Sequence, residues 1–513
     1  MTTTTPRATP VEQPTERLSS GVPGLDDVLG GGYPTYRVHL VEGRPGTGKT
    51  TLGLQFLLEG ARQGERVLYV ALSETLDELR AVARSHGWSL EGVRVREILP
   101  TEEALQRESR YTILHPSEVE LGETVRAVLD EVERIKPTRV VVDSLAELRL
   151  LAGDPLRYRR EVLALKQFFA GRRGTVLLLD SAGHLEGHES DLASVAHSVV
   201  ELEQLAPQYG GERRRLRVVK LRGGRYRGGR HDFVIQTGGV VVFPRLVAAE
   251  HQQPFQPEEL SSGVRGLDVL LGGGLPRGTS CLLVGPAGAG KSVLCTQYAL
   301  AAAERGERVA IYIFDESVPT YLGRSEGLGL DVRGLVQQGL VMLRQLDPAQ
   351  LAPGEFVQHV REAVERHQAR VVVIDSLNGY LNAMAEERSL LVQLHELLTY
   401  LGQRGVLTLL TVAQHGLVGD ATRAPLDASY LADTVILLRY FEAVGELRRA
   451  ISVVKKRSGP HERTIRELSL GPGVRVGEPL REFQGVLAGL PTFLGAGHSL
   501  QAKRAETANH TAE

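Results

Sequence analysis

A chain of 513 residues is long enough for two to four domains, each able to bury a core of its own. Its composition, 42% hydrophobic and 24% charged, is that of a globular protein, and a formal net charge of −2 provides no global attraction to nucleic acid or an anionic membrane. Its 2 cysteines, Cys281 and Cys295, form no disulfide framework and fit a reducing cytoplasm, and no run of about 18 apolar residues marks a membrane span.

In chain order, residues 1–17 are rich in Thr and Pro and read as a disordered arm without the apolar core of a secretory signal. The opening Ser19-Ser20-Gly21-Val22 through Gly24-Leu25-Asp26 is followed by Gly30-Gly31-Gly32. Arg37–Glu42 is a short apolar run, Thr51–Arg62 carries helical periodicity, and Arg66–Ala71 is a second apolar run. Arg139–Val142 is a third, ending at Asp143, and Thr175–Leu179 is a fourth. Continuous Val/Leu runs separated by helical stretches predict a mainly parallel sheet covered on both faces, an α/β three-layer domain.

The whole pattern then recurs. Ser261-Ser262-Gly263-Val264 through Gly266-Leu267-Asp268 and Gly272-Gly273-Gly274 repeat the opening at an offset of 242 (261 − 19). Downstream, Asp143-Ser144-Leu145 recurs as Asp375-Ser376-Leu377 at an offset of 232 (375 − 143), the difference lying in the intervening loops. The chain is therefore read as two tandem domains, residues 18–247 and 260–494, joined by a polar, Pro-containing linker at 248–259 and followed by a flexible tail at 495–513.

Each half carries a phosphate loop. Gly43-Arg44-Pro45-Gly46-Thr47-Gly48-Lys49-Thr50 and Gly285-Pro286-Ala287-Gly288-Ala289-Gly290-Lys291-Ser292 both match G-x-x-x-x-G-K-[ST] in full. The glycines let the loop curl so that backbone N–H groups face phosphate oxygens, and the helix that opens there, through Thr51 and Val293, adds its positive end. Lys49 and Lys291 are expected to reach the β- and γ-phosphates of ATP, with Thr50 and Ser292 placing a hydroxyl on magnesium. Asp143 and Asp375, each ending an apolar strand, supply the carboxylate for that ion.

Hydrolysis also needs a group that positions or deprotonates water. Glu74 follows the second apolar run of the first half; Asp315 and Glu316 occupy the equivalent place in the second, with Ser73 standing where Asp315 does. The competing reading makes these acids caps or first-turn residues of the next helix. Late in each half lie basic segments, Arg213–Arg222 with a Gly/Arg loop to Arg230, and Arg448-Arg449 with Val453–Gly459. Three readings stay open: a solvated sheet edge, fingers reaching a neighbouring subunit's γ-phosphate, or a nucleic-acid contact.

Together the two phosphate loops, the S-x-G-x-x-G-L-D openings, the triple-glycine turns, the D-S-L strand ends, the late K-L-R and K-K-R segments and the closing Leu480–Leu487 resemble the KaiC family. The resemblance implies RecA-like domains, each a P-loop NTPase, assembled ATP-dependently as double-ringed homohexamers with ATP between subunits. It implies that Lys220, Leu221 and Arg222, and likewise Lys455, Lys456 and Arg457, contact ATP in the next subunit. The chain is read as a ring ATPase used as a regulatory switch, its expected partner an unidentified signalling protein and neither nucleic acid nor membrane; a DNA-dependent recombinase-like ATPase, supported by the Gly/Arg loop Arg222–Arg230, is the alternative. The family takes the first of two adjacent glutamates as catalytic base; here the pairs are Ser73-Glu74 and Asp315-Glu316, so Glu74 would have to act in the first half. The family's adjacent Ser-Thr phosphorylation pair matches Ser429-Tyr430, leaving Ser429 as the one candidate acceptor for serine/threonine autokinase activity.

Overall fold

A computed structural model describes residues 16–98, 116–181, 191–206, 210–383, 390–414, 430–487 and 492–494. The expected arm up to residue 15 and the tail from 495 lie outside the described residues, as does Ser429. The chain divides into two compact units, Met1–Arg245 and Leu246–Glu513.

In the first unit, β1 (Arg17–Leu18) and β2 (Tyr33–Pro34) form a short antiparallel ribbon. The main sheet contains β3 (Val38–Gly43), β4 (Val67–Ala71), β5 (Val93–Glu97), β6 (Arg139–Asp143), β7 (Thr175–Asp180), β8 (Ser198–Leu205), β9 (Arg213–Leu221), β10 (Arg230–Gln236) and β11 (Gly239–Phe243). Their order is β11-β10-β9-β8-β3-β7-β6-β4-β5. The strands from β8 through β3 to β5 are parallel, and β9, β10 and β11 add antiparallel to β8. Every residue of β3, β4, β6 and β7 is buried, as apolar runs covered on both faces require. The edge strand β5, which the sequence did not reveal, instead carries exposed Arg94 and Arg96.

Helix Lys49–Arg62 covers one face, packing Leu52, Phe56 and Leu57 on Val41, Tyr69 and Val141. Helices Pro116–Ile135, Leu145–Ala152 and Pro155–Ala170 cover the other, with Val128, Leu148 and Leu165 on Leu40, Val70 and Val142. Under the first face lies a fully buried guanidinium. Arg139 makes a two-pronged ion pair with Glu65 (3.0 and 2.9 Å), donates to the carbonyls of Ser19 (2.7 Å) and Phe56 (3.1 Å), and sits 4.8 Å from the Phe56 ring. Arg139→Met would strand Glu65 and two carbonyls. It is expected to destabilise the first unit by about 2–3 kcal/mol, read as a lower urea midpoint of its transition.

The second unit repeats the plan. Its ribbon is β12 (Glu259–Leu260) with β13 (Leu275–Pro276). Its sheet contains β14 (Ser280–Gly285), β15 (Arg308–Ile313), β16 (Val341–Gln345), β17 (Ala369–Asp375), β18 (Leu407–Ala413), β19 (Thr434–Ala443), β20 (Glu446–Lys456), β21 (Arg466–Gly471) and β22 (Gly473–Pro479). The order is β16-β15-β17-β18-β14-β19-β20-β21-β22, with the last three strands antiparallel. Within the stretch read as linker, Ala248–His251 forms a 3-10 turn; Ala248 joins the second unit's core and the His251 ring meets Tyr400 edge-on at 5.3 Å. Cys281 and Cys295 are both buried free thiols.

Candidate functional site

Each phosphate loop leaves the C-terminal end of the sheet's central strand and turns into a helix. Gly48 and Gly290, the residues before those helices, stand at φ 98° and 106°, which a side chain rarely adopts. A Cβ there would also meet Ile235 (2.6 Å) or Leu470 (2.8 Å), so the late strands brace each loop. Lys49 donates to the carbonyls of Gly43 (2.8 Å) and Arg44 (3.0 Å); Lys291 does the same to Gly285 (2.9 Å) and Pro286 (2.8 Å). Burial pushes both ammonium groups below the usual lysine range, opposed by Asp143, Asp180 and Glu74 at Lys49 and by Asp375 at Lys291. Pro45, Gly46, Ala287 and Gly288 are exposed, whereas Thr47, Thr51, Ala289 and Val293 are buried. The Thr47 hydroxyl closes the loop on the Arg44 carbonyl at 2.8 Å, and Thr51 lies 3.4 Å from His86.

The structure brings the strand-end aspartates to these loops. Thr50 donates its hydroxyl to Asp143 Oδ2 at 2.7 Å, and Tyr69 donates to the same oxygen at 2.6 Å. In the second unit Thr411 donates to Asp375 Oδ1 at 2.5 Å, and Asp375 Oδ2 is buried without a hydrogen-bond partner. Tyr69 and Thr411 were missed from sequence. The available signal was a polar hydroxyl inside an otherwise apolar buried strand. The peptide bond after each aspartate is cis.

The acids resolve differently from a helix-capping role. Thr75 caps the helix Leu76–Ser85 and closes a capping box with Glu78; Ser317 caps Val318–Gly327. Glu74 and Glu316 thus precede the caps. Glu74 Oε2 is buried without a hydrogen-bond partner, and its carboxyl is pushed up to about 7 by burial, Asp143 and Glu78, against the pull of Lys49. Glu316 is raised by burial but pairs with Arg324 at 2.8 Å, and Ser376 donates its hydroxyl to Asp315. The pairing of Glu316 with Arg324 and of Asp315 with Ser376 was not read from the sequence.

Most of the basic run on β9, and Arg230 at the start of β10, is neutralised by neighbouring acids of the same unit. Arg214 pairs with Glu212, Arg215 with Asp232, Arg217 with Glu201, and Arg230 with Glu203. Lys220 and Arg222 instead donate to backbone carbonyls of Ala193 and Ser194. Leu221 and Lys456, expected to contact nucleotide with their neighbours, turn inward. Leu221 is in the core, and Lys456 is bound to the carbonyls of Leu271 (2.7 Å) and Gly274 (3.2 Å) and to Glu259 (3.4 Å). The reason is a bulge. Lys220 pairs with Val199 but Val218 with Val200, leaving Val219 extra, and Val454 is extra in the same way between Val435 and Ile436. One added residue reverses the in–out alternation, so Lys220 and Arg222, or Lys455 and Arg457, share the outer side.

A phosphate loop at the end of a central parallel strand, with a carboxylate at the end of a nearby one, defines a P-loop ATPase unit of the RecA-like type, present here twice. A KaiC ATPase family profile matches residues 18–247 and again 260–480. The chain belongs to the KaiC family and is an ATPase of that type. It is 27% identical to the circadian clock protein KaiC3 of Synechocystis sp. over 484 residues, 93% of this chain and 95% of that one. It is 28% identical to the circadian clock oscillator protein KaiC of Synechococcus elongatus over 516 aligned positions, covering 95% and 94%. Against the KaiC of Thermosynechococcus vestitus the identity is 26%, covering 97% and 96%. Among the described residues no helix is long and apolar enough to cross a membrane.

Proposed function

We infer that this chain hydrolyses ATP at the interfaces of a ring of its own copies and acts as a regulatory switch whose state another protein reads. The observation that carries the reading is the position of the outward cations. Lys220 is in register with Val199 at the start of β8, and Val199 with Leu40, whereas the phosphate loop begins at Gly43. Arg222 and its partner carbonyls lie still further from the loop, toward the N-terminal edge of the parallel strands. That is about 10 Å or more along the strands from the unit's own loop. Such groups serve a nucleotide held by a neighbouring copy better than their own, where they stabilise charge on the transferring phosphoryl group.

Within each unit the roles divide by chemistry. Lys49 and Lys291 hold phosphate oxygens, and the loop N–H groups cradle them. Thr50 with Asp143, and Ser292 with Asp375, would hold magnesium. These are oxygen donors only, the set a hard divalent cation takes, and the unpartnered Asp375 Oδ2 fits that use. Among the described residues no three His, Cys, Asp or Glu side chains converge as a metal cluster, so phosphate oxygens and water would complete the shell. When bound, the ion neutralises charge on the phosphates. Glu74 in the first unit, and Asp315 with Glu316 in the second, orient or deprotonate the attacking water.

Saturating ATP and magnesium is expected to convert monomer to a closed ring in native mass measurement. Arg222→Ala is expected to raise the ATP concentration needed for half-assembly by about tenfold, the worth of one charge-assisted contact. A chain that stays monomeric at saturating ATP would sink the reading.

A further inference from the structure

The two units place different residues beneath their outward arginines. In the second unit the Asp433 N–H donates to the Ser280 carbonyl (3.0 Å) and the Arg457 N–H donates to the Asp433 carbonyl (3.0 Å). In the first unit the same two bonds are made by His197 to Val38 (2.8 Å) and by Arg222 to His197 (2.9 Å). His197 therefore occupies the place of Asp433, and Val38 that of Ser280. The consequences for charge are opposite. Asp433 is held by the Ser280 N–H and hydroxyl, both at 3.0 Å, and its other oxygen takes the Arg457 guanidinium at 3.2 Å. A second arm of Arg457 donates to the Tyr430 carbonyl at 2.9 Å. That arginine is thus tied to an acid and a carbonyl of its own unit.

Arg222 has a neutral imidazole there instead. Burial, followed by Arg37, Lys166, Arg222 and Lys220, pushes His197 down to about 4, and its Nδ1 is buried without a hydrogen-bond partner. After burial, the charges that act on Lys166 and Lys220 are other cations: Arg222 on Lys166, and Arg222 with Lys166 on Lys220. Four basic side chains from three segments thus act on one histidine, and Lys166, Lys220 and Arg222 repel one another, an arrangement that an anion relieves.

We propose that Asp433 is a built-in competitor that restrains Arg457 in its own unit, and that its replacement by His197 removes that competitor from Arg222, which with Arg37, Lys166 and Lys220 takes the triphosphate of a nucleotide held by a second copy. The proposal rests on the interface reading above and adds an asymmetry to it. The first unit engages its neighbour's nucleotide directly, whereas the second must exchange a carboxylate for a phosphate before its arginine acts.

The test is ATP–magnesium titration of assembly by sedimentation, using the full chain with one phosphate loop disabled at a time. With Lys291→Met silencing the second unit, His197→Asp is expected to raise the ATP concentration for half-assembly by about tenfold, and His197→Asn by no more than about twofold. With Lys49→Met silencing the first, Asp433→Asn keeps an acceptor for Ser280 but removes the charge. It is expected to lower the concentration for half-assembly by about tenfold. Unchanged assembly in Asp433→Asn overturns the proposal, even where His197→Asp fails to fold. If Arg222→Ala weakens assembly while His197→Asp does not, the proposal fails and the interface reading stands. If Arg222→Ala has no effect, the interface reading fails with it.

Discussion

Glu74→Gln, in a chain whose second unit is silenced by Lys291→Met, is expected to lower ATP turnover by about 10²–10⁴-fold, the range of a positioned general base. The amide keeps size and one acceptor but cannot take a proton. The environment of Glu74 supports this choice. Its carboxyl is half-buried, faces Asp143, has one oxygen without a hydrogen-bond partner and is raised to about 7. A base must be ionised, so kcat/KM of the first unit should rise with pH and reach half its plateau near pH 7, because this ratio reports the free enzyme. Stability should move the other way. Between the ordinary value of 4.5 and about 7 the folded state holds a proton that the unfolded state has released. The contribution of this group to stability is therefore full below pH 4.5 and is lost as pH rises to about 7. Glu74→Gln should abolish both slopes. A kcat/KM profile that keeps its midpoint near pH 7 in the glutamine variant would assign the titration to another group. The second unit should give a different profile, since Glu316 is drawn toward ionisation by Arg324 and Asp315 accepts from Ser376.

What the sequence made legible was what is local. Eight contiguous residues define each phosphate loop, and an apolar strand ending in aspartate is read within five, so Lys49, Thr50, Asp143 and their repeats were found with the sheet around them. What escaped depends on facing and register. Tyr69 and Thr411 act on the aspartates only because neighbouring strands bring them alongside. The inward turn of Leu221 and Lys456 follows from bulges at Val219 and Val454, which leave no mark in a run of alternating residues. The capping question was in fact written in the chain. Thr75-x-x-Glu78 is a capping box, and recognising it frees Glu74 from that duty before any coordinates are known. The edge strand β5 was hidden for the opposite reason. Its Val-Arg-Val-Arg alternation is half polar because only the face carrying Val93 and Val95 packs on the core, so it lacks the apolar run by which the inner strands were recognised.

Lys49→Met and Lys291→Met should each abolish nucleotide binding in one unit while sparing the other, lowering affinity at the altered loop by about 100-fold or more. Methionine retains the apolar stem that packs beneath the loop, so the substitution removes chiefly the charge and two donated hydrogen bonds. Those bonds go to the first two carbonyls of the loop, Gly43 and Arg44 or Gly285 and Pro286. The ammonium therefore has two uses: it holds the loop's own carbonyls, and it is the cation available for phosphate. Its loss should lower the melting temperature of the nucleotide-free chain less at Lys49 than at Lys291, because Arg44 is exposed and its carbonyl can turn to water, whereas Pro286 is buried. The ATP-dependent rise in melting temperature should lose the contribution of the altered unit, since stabilisation by a ligand follows its affinity for the folded state. Calorimetry with ATP and magnesium would then count one site per chain in each single variant and none in the double. A single variant that still binds at two sites would show that the buried lysine serves the loop alone, and the cation for phosphate would have to come from Arg222 or Arg457 of a neighbouring copy.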